Sequence, residues 1–331
     1  NCQIITKIEI NSYGWASWDA FGNRLFYYSD GEVHRCTIGY SCYSFTFYFI
    51  PDEIYLTSTN YYVVNYERQL IARFDIETDK GGSLNLPINT PQYEIVHESK
   101  NYWYLNDVGM LNVYAHTWGS GHLQTVNSIP NQQSKWWVGD ESLFSFAVNS
   151  TDVFLTSKSL NGFTLNWNIS LPLCKSRKAS DNLFVSLCSS IGYAVCGGNN
   201  IVSKFNTRNG TIITQYPIDD GNVVAIECSD SDLFILYEDS RVAKFTSDSD
   251  YVTTYYVPNK KIPKYNKLRF ASDYLFYILC DSGGNENICD NSALYGRKVF
   301  LLFDQTEIDF TPERKSSFAG IPVEIQDFPS K

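Results

Sequence analysis

The residues able to do chemistry are few in this 331-residue chain. Nine cysteines stand at Cys2, Cys36, Cys42, Cys174, Cys188, Cys196, Cys228, Cys280 and Cys289, beside only four histidines, His34, His97, His116 and His122. No two cysteines take the CxxC spacing, so neither a zinc framework nor any other metal site is expected. Serine-nucleophile, zinc-protease and phosphate-cradling glycine motifs are absent from the sequence. The acidic pairs Asp219-Asp220, Asp230-Ser-Asp232 and Asp248-Ser-Asp250 read as hairpin-turn chemistry, where a short carboxylate bonds its own backbone, rather than as catalytic pairs. Residues 281–291 are rich in oxygen donors but lack EF-hand spacing, which favours a disulfide-closed polar insertion over a calcium loop. No catalytic residue and no cofactor are expected.

Cysteine chemistry points instead to compartment. Three close pairs, Cys36 with Cys42, Cys188 with Cys196 and Cys280 with Cys289, predict local disulfides, the alternative being buried free thiols. The odd count leaves at least one thiol over, or one available for a bond to another chain. Sequons place N-glycan acceptors at Asn149, Asn168 and Asn209. The longest apolar run covers 274–280, too short for a membrane span. Together these predict a secreted chain whose leader has been removed. The net charge, 26 basic minus 36 acidic or −10, opposes nucleic-acid or anionic-membrane binding. The basic group Lys260, Lys261, Lys264, Lys267 and Arg269 reads first as a solvated loop and second as a contact for an acidic neighbour. Trp136 and Trp137 offer adjacent rings for a protein interface or for stacking on a sugar.

The elements that carry these residues are strands. Composition sets 24 Tyr, 21 Phe and 7 Trp against a single Met, which suits sheets and disfavours helices. Short apolar segments ending in polar turns begin at Leu25, Tyr61, Tyr102, Leu143, Ile191, Leu233 and Leu275, so they recur at intervals of 36, 41, 41, 48, 42 and 42 residues. A second marker follows them: 71–74, 202–205 and 242–245 share one alternating pattern, and 33–36 and 111–114 are looser copies. Residues 182–188 echo 222–228, placing Cys188 and Cys228 at equivalent positions. Fourth-strand candidates follow at 162–169, 211–217 and 251–257. The period is that of four-stranded propeller blades. The fold expected is all-β: a seven-bladed β-propeller of four-stranded antiparallel blades over 1–310, closed by the orphan N-terminal strand at 3–10. Residues 311–331 form a C-terminal extension that wraps the surface or engages a neighbour.

The stretch Val202-Ser-Lys-Phe-Asn-Thr-Arg-Asn-Gly-Thr-Ile-Ile resembles the blade signature of quinoprotein-like and WD40-like propellers, a strand ending in an Asp/Asn-x-x-x-Gly turn. The stretch from Ile71 is similar, with a turn one residue longer. The Trp-Asp dipeptide occurs once, at Trp18-Asp19, outside the position that WD40 proteins use. Tyr216 stands where quinoprotein blades place a closing Trp. The resemblance implies fold and carries over no quinone cofactor.

Paired Tyr at 27–28, 61–62 and 255–256 put one ring on each strand face, which predicts exposed or interfacial rings. With the spare cysteine and the C-terminal tail, this points to a secreted, N-glycosylated, non-catalytic module with a structural or interaction role. Its partners would be copies of itself, in oligomers or filaments, or another extracellular protein. A carbohydrate-binding propeller is the first alternative. A secreted hydrolase or lyase with an acidic site in the channel is the second.

Overall fold

A strand with apolar side chains on both faces needs cover on both, and the seven repeat segments carry such runs before their polar turns. In the computed structural model each becomes the second strand of a sheet. The structure describes residues 6–9, 17–38, 42–47, 49–85, 94–98, 102–107, 110–115, 124–130, 136–138, 142–149, 152–160, 162–171, 183–196, 200–229, 232–246, 251–255, 260–262, 267–281 and 293–298.

After β1 (Thr6–Glu9), the first sheet holds β2 (Trp18–Phe21), β3 (Arg24–Ser29), β4 (Glu32–Thr37) and β5 (Cys42–Thr46). The second holds β6 (Glu53–Leu56), β7 (Asn60–Asn65), β8 (Leu70–Asp75) and β9 (Gly81–Asn85). The third holds β10 (Glu94–Glu98), β11 (Tyr102–Asp107), β12 (Met110–Ala115) and β13 (Gln124–Pro130). The fourth holds β14 (Trp136–Val138), β15 (Ser142–Asn149), β16 (Asp152–Ser159) and β17 (Leu165–Leu171). The fifth holds β18 (Leu183–Cys188), β19 (Ile191–Cys196), β20 (Ile201–Asn206) and β21 (Ile212–Pro217). The sixth holds β22 (Val223–Cys228), β23 (Asp232–Tyr237), β24 (Val242–Thr246) and β25 (Tyr251–Tyr255). The seventh holds β26 (Lys260–Lys261), β27 (Arg269–Ala271), β28 (Tyr274–Asp281) and β29 (Ala293–Lys298), and β1 joins it by pairing antiparallel with β29. Every pairing is antiparallel, and no helix occurs among the described residues.

Hydrophobic cores lie between sheets, and alternation along β3, β19, β23 and β28 feeds two of them each. Phe234 and Leu236 of β23 pack with Leu275, Tyr277 and Leu279 of the seventh sheet, while Leu233, Ile235 and Tyr237 face Tyr193 and Val195 of the fifth. Leu25 and Tyr27 pack on Phe276 and Ile278 of the seventh sheet, whereas Phe26 faces Ile54 and Val63 of the second. Adjacent sheets thus share a core from the fourth through the seventh, and from the seventh on to the first and second.

This packing corrects the reading of the tyrosine pair at 61–62 and of Tyr27; Tyr28 is half-buried, and the side chains of the pair at 255–256 lie outside the described residues. Tyr27, Tyr61 and Tyr62 are all buried, Tyr61 and Tyr62 on opposite faces of β7. A ring on each face signals a neighbour on each face, not an exposed surface. The buried Trp18 lies in the core between the first and seventh sheets.

The turn signature of the resemblance has a physical basis. In the β20–β21 turn, Asn206 Oδ1 accepts from the backbone N–H groups of Arg208 and Asn209, at 2.9 and 3.2 Å. Gly210 follows with φ +73°, where a side chain is strained, and a Cβ there would lie 2.7 Å from Trp167 Cδ2. In the longer β8–β9 turn, Asp75 plays the same part for Glu77 and Thr78.

The disulfides differ from the close-pair expectation at one point. Cys36 and Cys42 face each other across β4 and β5 and are bonded, with Cα atoms 4.0 Å apart. Cys188, however, is bonded to Cys228, 40 residues on, with Cα atoms 6.0 Å apart. Cys188 pairs with Ile191 at the turn end of the β18–β19 hairpin, whereas Cys196 pairs with Leu183 five residues away, roughly 17 Å at the rise of a strand. Equivalent positions of neighbouring first strands are close; the two ends of one hairpin are not. Cys196 and Cys280 are disulfide-bonded as well. Cys289, residues 311–331 and the side chains of Asn149, Trp136 and Trp137 lie outside the described residues.

Candidate functional site

The first strands of neighbouring sheets run side by side: β2 contacts β6 and β27, and β22 contacts β18 and β27. Charged side chains gather where they meet. Arg269 on β27 donates from Nε to Asp19 Oδ1 on β2 at 2.7 Å. Asp19 Oδ1 also accepts from Ala20 N at 3.1 Å, and its Oδ2 accepts from Leu56 N on β6 at 2.8 Å. One carboxylate therefore ties three sheets. Lys267, just before β27, donates from Nζ to the carbonyls of Ile54 at 3.1 Å and Trp18 at 3.3 Å, and pairs with Glu53 Oε1 at 3.4 Å. Tyr66 donates its hydroxyl to the other oxygen of Glu53. On the far side of Arg269, Glu227 of β22 accepts from the backbone N–H of Phe270.

The electrostatics of this group are asymmetric. Two cations, Arg269 and Lys267, have direct carboxylate partners in Asp19 and Glu53, which leaves Glu227 as a third carboxyl. Its burial pushes its pKa up to about 7, against the opposing pull of Arg269 and the Phe270 amide; Asp19 adds a smaller upward push. Burial works against the Arg269 charge too, but Asp19 and Glu227 outweigh it and hold the guanidinium protonated more firmly than usual. Asp19 keeps only 2 % of its side-chain surface, whereas Arg269 keeps 30 %. The group reaches solvent through Arg269 and, in part, through Glu227. A buried base-paired carboxylate, a cation and a carboxyl that titrates near neutrality can hold an anionic or carbonyl-bearing molecule and exchange a proton with it. Among the described residues no three His, Cys, Asp or Glu side chains are grouped to hold a metal ion.

This arrangement corrects the reading of the basic group. Lys267 and Arg269 are not a solvated loop: each is paired within the protein, with groups more than two hundred residues away. Lys260 and Lys261 lie apart from them on β26, opposite Asp281 and Cys280, and Lys264 is outside the described residues. Sequence reasoning missed Glu53 and Glu227 and saw Asp19 only as half of a Trp-Asp dipeptide. One signal for Glu227 was present. In the echo of 182–188 against 222–228, Leu187 is matched by Glu227, a charge at an apolar repeat position.

Of the other expected sites, Trp136 and Trp137 lie on β14, paired with Ser145 and Phe144, away from this group. Asn168 on β17 and Asn209 in the β20–β21 turn are exposed. Asn149 closes the β15–β16 hairpin opposite Asp152.

No family model and no curated protein matches the chain. Solved structures do. Hsv2 of Kluyveromyces lactis superposes with a TM-score of 0.60 at 10 % identity, over 81 % of this chain and 90 % of that one. Virginiamycin B lyase of Staphylococcus aureus gives 0.59 at 11 % identity, over 88 % and 98 %. The computationally designed Ika8 protein gives 0.55 at 11 %, over 90 % and 97 %. The chain has a β-propeller fold. These likenesses also overturn the expectation of a non-catalytic structural module. The same architecture, at the same level of similarity, carries a lyase, so an all-β repeat fold gives no ground for denying chemistry.

Proposed function

We propose that this chain is a seven-bladed propeller enzyme that transfers a proton in an elimination or hydrolysis, with Glu227 as the acid–base group. Seven sheets of consecutive strands support the blade count, and the β1–β29 pairing supports closure by the N-terminal strand. The ring would span 1–310, with 311–331 as an extension. Bonded cysteines on six described strands favour an oxidising, extracellular or secretory, compartment.

One observation carries the catalytic reading: two carboxyls flank Arg269 in different surroundings. Asp19 accepts three hydrogen bonds, while burial moves Glu227 to about 7. Such a division separates an electrostatic anchor from a proton-transfer group. In elimination Glu227 takes a proton from a substrate carbon, the electron pair left behind forms a carbon–carbon double bond, and the neighbouring carbon–oxygen bond breaks to release the leaving group. In hydrolysis it takes a proton from water, whose oxygen adds to the carbonyl carbon and displaces the alcohol. Arg269 faces the oxygen on which negative charge grows, held in aim by Asp19. The virginiamycin B lyase likeness favours elimination as the first class to test.

The test is incubation of the folded protein with cyclic and linear esters, uronate-containing oligosaccharides and quinupristin, followed by mass spectrometry. Hydrolysis adds water to the products; elimination does not. Turnover that rises with a group titrating near neutral pH and disappears in E227Q is the expected result. Failure of the wild-type protein to turn over any member of the panel overturns the reading.

A further inference from the structure

We propose that Asn168 and Asn209 carry N-linked glycans, and that the two glycans flank and cover the outer edge of β17. The inference is independent of any activity at the first strands.

β17 is the last strand of the fourth sheet, bonded to β16 on one side and to no strand on the other among the described residues. An open edge of seven residues offers unpaired backbone groups to any extended chain, and proteins shield such edges. This one is short of charge: its sequence is Leu-Asn-Trp-Asn-Ile-Ser-Leu, with Leu165 63 % exposed. No lysine or proline stands on it to discourage pairing.

The two sequons bracket that edge. Trp167 donates its indole N–H to Thr207 O at 3.1 Å and lies directly beneath Gly210, which also approaches Ile169. The turn that carries Asn209 is thereby fixed against one face of β17. Asn168 alternates with Trp167 along the strand and therefore projects from the opposite face, beside Thr156 of β16. In both side chains the amide oxygen takes the hydrogen bond, Asn168 Oδ1 from Thr156 Oγ1 and Asn209 Oδ1 from Thr211 N. Each Nδ2, the atom that is modified, has no partner among the described residues. Glycans at these two atoms rise on either side of the same strand.

The chemistry is that of transfer from a lipid-diphosphate-linked oligosaccharide in the secretory pathway, consistent with the bonded cysteines. The bond formed joins the sugar's anomeric carbon to Nδ2. The bond broken joins that carbon to the lipid diphosphate, which leaves as the amide nitrogen gives up one proton. Transfer precedes folding, so the requirement on the fold is that both acceptors end up outside, as they do.

The experiment is secretion of the full chain from a eukaryotic host. Native release by an amidase that converts glycosylated Asn to Asp is then carried out in heavy-oxygen water, with peptide mass spectrometry. Heavy-oxygen Asp at both 168 and 209 in the folded protein is expected; unmodified Asn at either position overturns the assignment. The covering role is read by light scattering of the folded protein before and after enzymatic removal of the glycans, and of S170A/T211A, which keeps both asparagines. A concentration-dependent shift from monomer to larger species in both is expected. Monomers at every concentration after glycan removal overturn that role. If S170A/T211A is not secreted, deglycosylation of the folded wild-type protein decides by itself.

Discussion

Replacing Glu227 by Gln removes one ionisable group from the junction of β22, β27 and β2 while keeping its size and an amide oxygen that can accept from Phe270 N–H. The sign of its effect on stability follows from the proton. An unfolded glutamate titrates near 4.5, and burial moves the folded value to about 7. Between those values the folded protein binds more protons than the unfolded one, so this group's contribution to stability is fully present below pH 4.5. It is lost as pH rises through about 7. At 1.36 kcal/mol per tenfold, the difference corresponds to about 3 kcal/mol, an upper figure. Partial exposure of Glu227 screens the charge, and about 2 kcal/mol is the expected penalty above pH 8. The assay is urea unfolding of wild type and E227Q at intervals from pH 4.5 to 8.5, oxidised throughout. Groups common to both proteins cancel in the difference. E227Q is expected to be more stable than wild type by about 2 kcal/mol at pH 8.5, the gap closing towards zero near pH 4.5. A gap that is constant with pH, or that opens as pH falls, refutes the placement of Glu227 in a desolvated, cation-flanked site. The same substitution is expected to abolish turnover, so stability gained and activity lost would appear together, as they do where a site is held at the expense of stability.

Three other perturbations bear on the same architecture. R269M strands the Asp19 carboxylate in a site where it is only 2 % exposed; a loss of about 3–5 kcal/mol in urea unfolding is expected. In any folded fraction, NMR should find Glu227 titrating higher still, since Arg269 is the cation that holds it down. Replacing both Cys188 and Cys228 by Ser opens a loop of 40 residues, and replacing Cys36 and Cys42 opens one of 6. Loop entropy predicts losses of about 4 and about 2 kcal/mol, so a thermal melt in which the shorter loop matters more would contradict the assignment. G210A introduces a Cβ at φ +73°, 2.7 Å from the Trp167 ring. A loss of about 2 kcal/mol is expected from backbone strain and displacement of the indole, with Trp fluorescence changed as well.

How much of this was legible in the sequence depends on the range of the interaction involved. Strand identity was, because it rests on alternation and turn residues within a few positions: the seven segments from Leu25 to Leu275 are the second strands, and the 71–74, 202–205 and 242–245 markers fall in third strands. The orphan segment at 3–10 contains β1, which finds its partner in β29. The turn signature of Asn206 and Gly210 was equally local. The candidate site was not. Lys267 and Arg269 look like loop charges in sequence because their partners, Trp18 and Asp19, lie 249 and 250 residues away. Only packing of the last sheet on the first brings them together.

The same physics separates the other cases. Composition and period determined that the chain folds into repeated four-stranded sheets, since apolar alternation needs only local geometry and burial. Tertiary structure decided which faces were covered, turning Tyr61 and Tyr62 from surface candidates into core. It decided that Cys188 bonds Cys228 rather than Cys196, because distance between sulfurs is set by how neighbouring sheets align, not by spacing along the chain. It also decided that Glu227 titrates near neutrality, because desolvation is a property of everything packed around a carboxyl, and the sequence around Glu227 supplies almost none of it.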